Sequence, residues 1–320
     1  MIYRRPSHNS APGAARRPYG LLFFVCFYAM FYRPPELFGQ ATNPIRVDHV
    51  MDIHGGFNQP TEVAIGKTGR IYILDGANNK VKIFSQNGTF VLGFGNSGTR
   101  DGEFDAPVGI DVDAHENVYV ADTGNRRIQV FDRNGGYLRK IDLSPWSARP
   151  VEVEVPEGSN LVYVSDADNH RILCFQKDGT FNFAWGDLGE RLGELRFPGM
   201  TASDSRGDVY VVDILNGRVQ KFSPHGKNPR QIGELGVLPG QLFRPKGIAI
   251  DDRSRVYVSD SYTGLIQVFD KDSKFRGILS TKDALLRLTT PLGLAVDANR
   301  RLFVVQSALN KVSVFILLDK

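Results

Sequence analysis

A carboxylate recurs along this chain at nearly even spacing: Asp75, Asp122, Asp166, Asp213 and Asp260, with Gln306 in the sixth place. Three residues after the Asp stand Asn78, Asn125, Asn169 and Asn216, and five residues after it Lys80, Arg127, Arg171 and Arg218. Converging carboxylates can bind metal or move protons. A type that recurs in five of six units, however, serves the unit. A short Asp side chain accepts turn N–H groups and can pair with the nearby base, so this ring reads as framework. Chemistry is better sought where the units depart from their own pattern. Glu62 and Glu152 stand two residues after a repeated Pro, where Gly109, Gly247, Gly293 and Met200 stand elsewhere. Two carboxylates there could take a cation or an amine. The alternative is a solvated side chain at a channel mouth, or an ion pair with Lys246, which follows its own Pro directly. The segment 143–149 (LSPWSAR) is a second departure. It offers Trp146 and Arg149, types enriched at binding hot spots, although Trp146 can equally plug a gap in the packing.

Positioning these residues is the work of a repeat. Pro60, Pro107, Pro150, Pro198, Pro245 and Pro291 each begin a unit and follow one another at closely similar intervals. Each Pro leads into a short apolar strand, such as VGIDVD or KGIAID. A second strand follows as a refrain: IYILD, VYVAD, VYVSD, VYVVD, VYVSD, LFVVQ. A third (KVKIF, RIQVF, RILCF, RVQKF, LIQVF, KVSVF) and, in most units, a fourth complete the set. The segments are rich in Val, Ile, Tyr and Phe, and most are bounded by Gly, Asn or Asp. No stretch of the repeat sustains a helical period. Four antiparallel strands repeated radially make a β-propeller. The last unit, 291–320, has no clear fourth strand, while 45–53 reads as a strand ahead of the first Pro. The expected fold is therefore all-β: a six-bladed propeller of four-stranded antiparallel blades, its ring closed by the N-terminal strand in the last blade.

The Gly-x-[Phe/Leu]-x-x-Pro lead-in, the Val-Tyr-Val-x-Asp strand and the Asp-x-x-Asn-x-[Arg/Lys]-[Ile/Val]-x-x-Phe run resemble NHL repeats over residues 45–320. The resemblance implies the propeller fold and says little about activity, because that family is similar across scaffolds, RNA-binding domains, sensors and one class of lyase. The lyase class needs a His cluster around zinc. Beyond the N-terminal segment the chain has His49, His54, His115, His170 and His225. His115 and His225 belong to turns on one end of the blades, His54 and His170 to the other, so no zinc or other cofactor is expected. Gluconolactonase-like propellers hold calcium near the axis, a possibility that Glu62 and Glu152 keep open. No Gly-x-Ser-x-Gly elbow, phosphate loop or dinucleotide fingerprint occurs.

The chain has 320 residues and a net charge of +4. That excess lies in residues 1–41, which hold five Arg and one Glu; the remainder balances 34 bases against 34 acids. A nucleic-acid partner is not expected of a neutral repeat. Arg16 and Arg17 precede a 12-residue apolar run, Leu21 to Tyr32, too short to span a bilayer as a helix. It reads as an export signal with cleavage after Ala41, giving domains at 1–41 (signal) and 42–320 (propeller). Periplasmic or extracellular localisation follows, with membrane contact only through an uncleaved leader. Cys26 lies in that leader, leaving Cys174 with no disulfide partner.

Alternating strand direction sorts the loops. The second-to-third-strand turns and the long inter-blade loops (93–106, 186–197, 233–244, 279–290) share one face, termed the top; the remaining turns form the bottom. The sequence predicts a rigid platform that binds a protein or peptide on its top face, rather than an enzyme. Its contact residues are Trp146, Arg149, Glu62, Glu152, Lys246 and His170. The alternative is a divalent-metal-dependent hydrolase or lyase with its site at the top of the channel.

Overall fold

The computed structural model describes residues 43–318. The expected signal segment 1–41 and its expected cleavage point lie outside the described residues. Each refrain strand is buried along nearly its whole length, because a blade packs on neighbours through both faces. The first blade is Glu62–Ile65, Ile71–Asp75, Lys80–Phe84 and Phe90–Phe94, paired antiparallel in that order. Blades two to five repeat the arrangement, starting from Gly109–Val112, Pro150–Glu154, Pro198–Ser203 and Pro245–Ile250. These innermost strands and Pro291–Val296 of blade six contact one another in sequence and return to blade one, forming a ring. Six apolar clusters fill the six gaps between blades. The gap between blades two and three, for example, holds Ile128, Val130, Val153, Val164 and Phe175.

Closure follows the expected route. Pro44–Ile53 supplies the missing strand of blade six and pairs antiparallel with Lys311–Leu317, from Val47 opposite Leu317 to Ile53 opposite Val312. The same strand begins by pairing in parallel with blade five, Pro44 to Arg46 against Ile278 to Ser280. It therefore covers the outer edge of one blade while completing the next, which leaves less free edge for another chain to extend.

The repeated Asp residues are fully buried framework groups. Each reaches from its refrain strand to the inter-blade loop: Asp75 to the Asn58 amide, Asp122 to Asp105, Asp166 to Arg149, Asp213 to Arg196 and Asp260 to Phe243. Arg127, Arg171 and Arg218 pair with their Asp as the spacing suggests. In blade one the pairing differs: Lys82, 2.7 Å away, takes the place expected of Lys80, which is exposed. Lys82 lies two residues further along the strand and shares its side with Lys80. Cys174 is fully buried, and burial pushes its thiol up to about 12.

Candidate functional site

The innermost strands bring four carboxylates together from three blades. Glu62 comes from blade one, Asp111 from blade two, and Glu152 and Glu154 from blade three. Innermost strands lack a neighbour on their inner edge, so their edge amides need partners. The carboxylates meet that need across blade boundaries. Glu62 Oε2 accepts the Ile110 N–H at 2.9 Å, and Asp111 Oδ2 accepts the Val155 N–H at 2.7 Å. Glu154 Oε1 accepts the Ser203 hydroxyl of blade four at 2.5 Å. Glu152 Oε1 accepts its neighbour's Val153 N–H at 2.8 Å. The two carboxylates converge on one stretch of blade two: Glu62 Oε2 takes the Ile110 amide, and Glu152 Oε2 lies beside Gly109, 3.0 Å from where a Cβ there would stand.

Glycine makes room for both. A Cβ on Gly109 would lie 2.6 Å from the Glu152 Cα, and one on Gly293 would lie 2.7 Å from the Glu62 Cα. The Gly and Glu found at one repeat position are thus two halves of one contact between adjacent blades.

Glu62 and Glu152 are only 7% and 2% exposed, so neither is a solvated channel-mouth side chain. Asp111 and Glu154 are half-buried. Burial pushes Glu62 up to about 8 against the pull of Glu152 and the Ile110 amide. Burial also lifts Asp111 to about 7, against the Val155 and Val112 amides. Glu152 is held well above the usual carboxylate range by burial and then by the charge of Glu62; Glu154 is raised by burial and then by Asp111. All four are shifted upward, because burial disfavours the charged form of each carboxyl.

The fit to a divalent ion is poor. Among the described residues no three His, Cys, Asp or Glu side chains are arranged to share one. Asp111 and Glu154 were not singled out by the sequence, yet a signal exists. Two residues beyond the Glu62 position the other blades carry Ala64, Ala202, Ala249 and Ala295, and only blades two and three carry an acid. Lys246 lies half-buried on the innermost strand of blade five.

The top-face residues fall into a second group. Trp146 ends a short 3-10 turn, Ser144–Trp146, and packs on Phe175 and Phe181 with ring centroids 5.2 Å away in each case. Its carbonyl accepts from Arg171. Trp146 thus fills the gap, one of the two roles its position allowed. Arg149 is half-exposed, bonds Asp168 at 3.2 Å and lies over the Phe197 ring. His170 Nδ1 accepts the Phe197 N–H at 3.1 Å from a backbone at φ +57°. Asn79 and Asn310 do the same in their blades, bonding the Ala106 and Gln59 amides.

Beyond Phe197 the top face carries exposed apolar side chains among charged ones. Leu188, Leu215 and Leu235 are each more than half exposed, and Leu238, Phe243 and Tyr262 are exposed as well. These side chains lie on connected loops. The Asn216 amide bonds the Gly189 carbonyl, Leu235 packs on the turn at Gly217, and Phe243 stacks on Tyr262 at 4.5 Å with Arg244 over both rings. The loops at 186–197 and 233–244 were expected to be long; their apolar tips were not singled out. Charge accompanies these tips, as Arg191 and Glu194 repeat the Arg100–Glu103 turn and Arg196 bonds Glu190 at 3.0 Å.

The chain is a six-bladed β-propeller, and comparison with known proteins agrees. The family model for DUF5128, described as a six-bladed β-propeller, matches residues 57–159. A gluconolactonase from Xanthomonas campestris is similar in structure at 16% identity, with a TM-score of 0.64 over 87% of this chain and 96% of that one. A streptogramin B lyase is similar at 12% identity, with a TM-score of 0.61 over 84% and 97%. Virginiamycin B lyase from Staphylococcus aureus, in a catalytically inactive form with quinupristin, is similar at 13% identity, with a TM-score of 0.61 over 88% and 97%. At these identities the likeness is one of fold. No curated protein sequence matches the chain.

Proposed function

We propose that this protein is an exported, NHL-type propeller that acts as a rigid platform for a protein or peptide partner, seated on the top face around blade four. The observation that carries this reading is the group of exposed apolar side chains on the neighbouring loops around blade four, Leu188, Leu215, Leu235, Phe243 and Tyr262. Large exposed apolar surfaces on a folded domain mark interaction sites. Arg149 and Arg244 border the surface, each over an aromatic ring, which suits a partner with mixed apolar and polar contacts. The export leader and the NHL-like repeat support the same reading from the sequence. The hydrolase or lyase alternative drew on Glu62 and Glu152, but the axial acids do not form a ligand set for a divalent ion.

The test is capture of a partner by residues 42–320, followed by affinity measurements on variants. Replacing Leu215 and Leu235 by Ser should weaken binding by roughly tenfold or more, the scale of losing one good anchor. His225→Ala, in a bottom turn, should leave it unchanged. The reverse pattern would assign the working face to the bottom.

A further inference from the structure

We propose that Glu62 and Glu152 share a single proton, and that this proton fastens blades one, two and three to one another until rising pH removes it. The geometry leaves little else for the pair to do. Glu62 spends Oε2 on the Ile110 amide of blade two, and Glu152 spends Oε1 on the Val153 amide of its own strand. Glu152 Oε2 is buried with no donor aimed at it. Both carboxylates approach the Gly109–Ile110 stretch of blade two, and two ionised carboxylates so placed and out of water repel, each having lost its hydration. One proton converts that repulsion into a short charge-assisted O–H···O bond and satisfies the orphaned oxygen. Removing it leaves a buried like-charge pair, with Glu62 still tied to blade two.

The surrounding charges do not supply another counterion of comparable effect. After burial, the largest influences on the pair are the two acids on each other and Asp111, together with the Ile110 and Val153 amides. Lys177 acts on Asp111 and on Asp113, which lies just past the same strand. Glu154 is engaged by Ser203. Lys246 stands on the innermost strand of blade five, and the innermost strands of blades four and six carry no ionisable side chain. The nearest refrain-strand acids, Asp75, Asp122 and Asp166, are already paired with Lys82, Arg127 and Arg171. Glu116, in a bottom turn, is held by Thr68.

The sign follows from linkage. Both acids bind protons more tightly in the folded chain than in the unfolded one. Their contribution is therefore complete below about pH 4.5 and is lost as pH rises toward and through about 8, the folded value for Glu62.

The experiment uses the folded chain and three forms: wild type, Glu152→Gln and Glu62→Gln. Urea midpoints are measured from about pH 5 to about pH 9, and the infrared band of protonated carboxyl groups is recorded at neutral pH. The wild-type midpoint should fall across this range. Glu152→Gln should lose less than half as much, because its amide donates to Glu62 at any pH, and should be the more stable form at the alkaline end. The infrared band should be present in wild type and reduced in both variants. Parallel pH dependence of wild type and Glu152→Gln overturns the proposal. If the variants do not fold, the wild-type spectrum decides, and a missing protonated-carboxyl band at neutral pH overturns it. Restoration of the alkaline midpoint by millimolar calcium chloride also overturns it, since a cation and not a proton would then join the pair.

Discussion

Lys311 Nζ lies 2.8 Å from Asp52 Oδ2, joining residues separated by 259 positions in the sequence. The contact lies on the seam where the two ends of the propeller meet in blade six. The Ser313 hydroxyl donates to the same carboxylate at 2.6 Å, and His49 lies 3.1 Å from it. Burial pushes the Asp52 carboxyl up, but the bonds from Lys311, Ser313 and His49 outweigh it and hold the group well below the usual range. A polar lock therefore reinforces the apolar seam of Val47, Ile53, Val312 and Val314.

Asp52→Ala should lower stability by about 1.5 kcal/mol, the low end for hydrogen bonds to a charged group, because Asp52 keeps part of its surface in water. At roughly 2–4 °C per kcal/mol this is a fall of several degrees in Tm. The depressed folded value gives a definite pH sign. The contribution is present above about pH 4 and is lost as pH falls below it, so wild type and Asp52→Ala should converge in acid. Calorimetry of the two proteins at neutral and acid pH checks both statements.

His170 should be replaceable by Asn at little cost. Asn79 and Asn310 occupy the same left-handed turn position and make the same bond to the next loop. His170→Asn is expected to change stability by less than about 0.5 kcal/mol, within the range of an innocuous substitution. His170→Ala loses the bond to the Phe197 amide and puts Ala at positive φ, which should cost about 1–2 kcal/mol. Urea denaturation separates the two. Equal losses would mean that the imidazole itself is required.

Trp146 and Arg149 should separate in their effects although they share a loop. Trp146 supports Phe175 and Phe181, so Trp146→Ala should destabilise the protein by about 3 kcal/mol, as large aromatic truncations do. Arg149 makes one exposed ion pair, and Arg149→Ala should change Tm by no more than a degree or two. An unaltered Tm in Trp146→Ala would show that the indole does not fill the gap and would return it to the binding surface.

Much of the fold is legible in the sequence because a propeller repeats its instructions. Six Pro residues, six refrain strands and a last unit lacking its fourth strand lead to the blade count and to closure by 45–53. The axial site is legible only in part. Glu62 and Glu152 show as departures from Gly at one repeat position. Asp111 and Glu154 are hidden in ordinary-looking strands until the Ala position is compared across blades. Burial cannot be read from either pattern, because it depends on which blade each side chain leans toward. The same reason conceals the packing role of Trp146, whose aromatic partners lie 29 and 35 residues further along the chain. The apolar tips at Leu215 and Leu235 look like ordinary strand and loop leucines until the fold turns them outward.

If the top face around blade four is the working surface, hydrogen–deuterium exchange of the chain with and without a captured partner will show it. Backbone amides in 186–197, 233–244 and the turn 261–264 should exchange more slowly with the partner present, while the bottom turns 113–116 and 223–228 exchange at the same rate. Protection confined to the bottom turns, with the top loops unchanged, would place the partner on the opposite face.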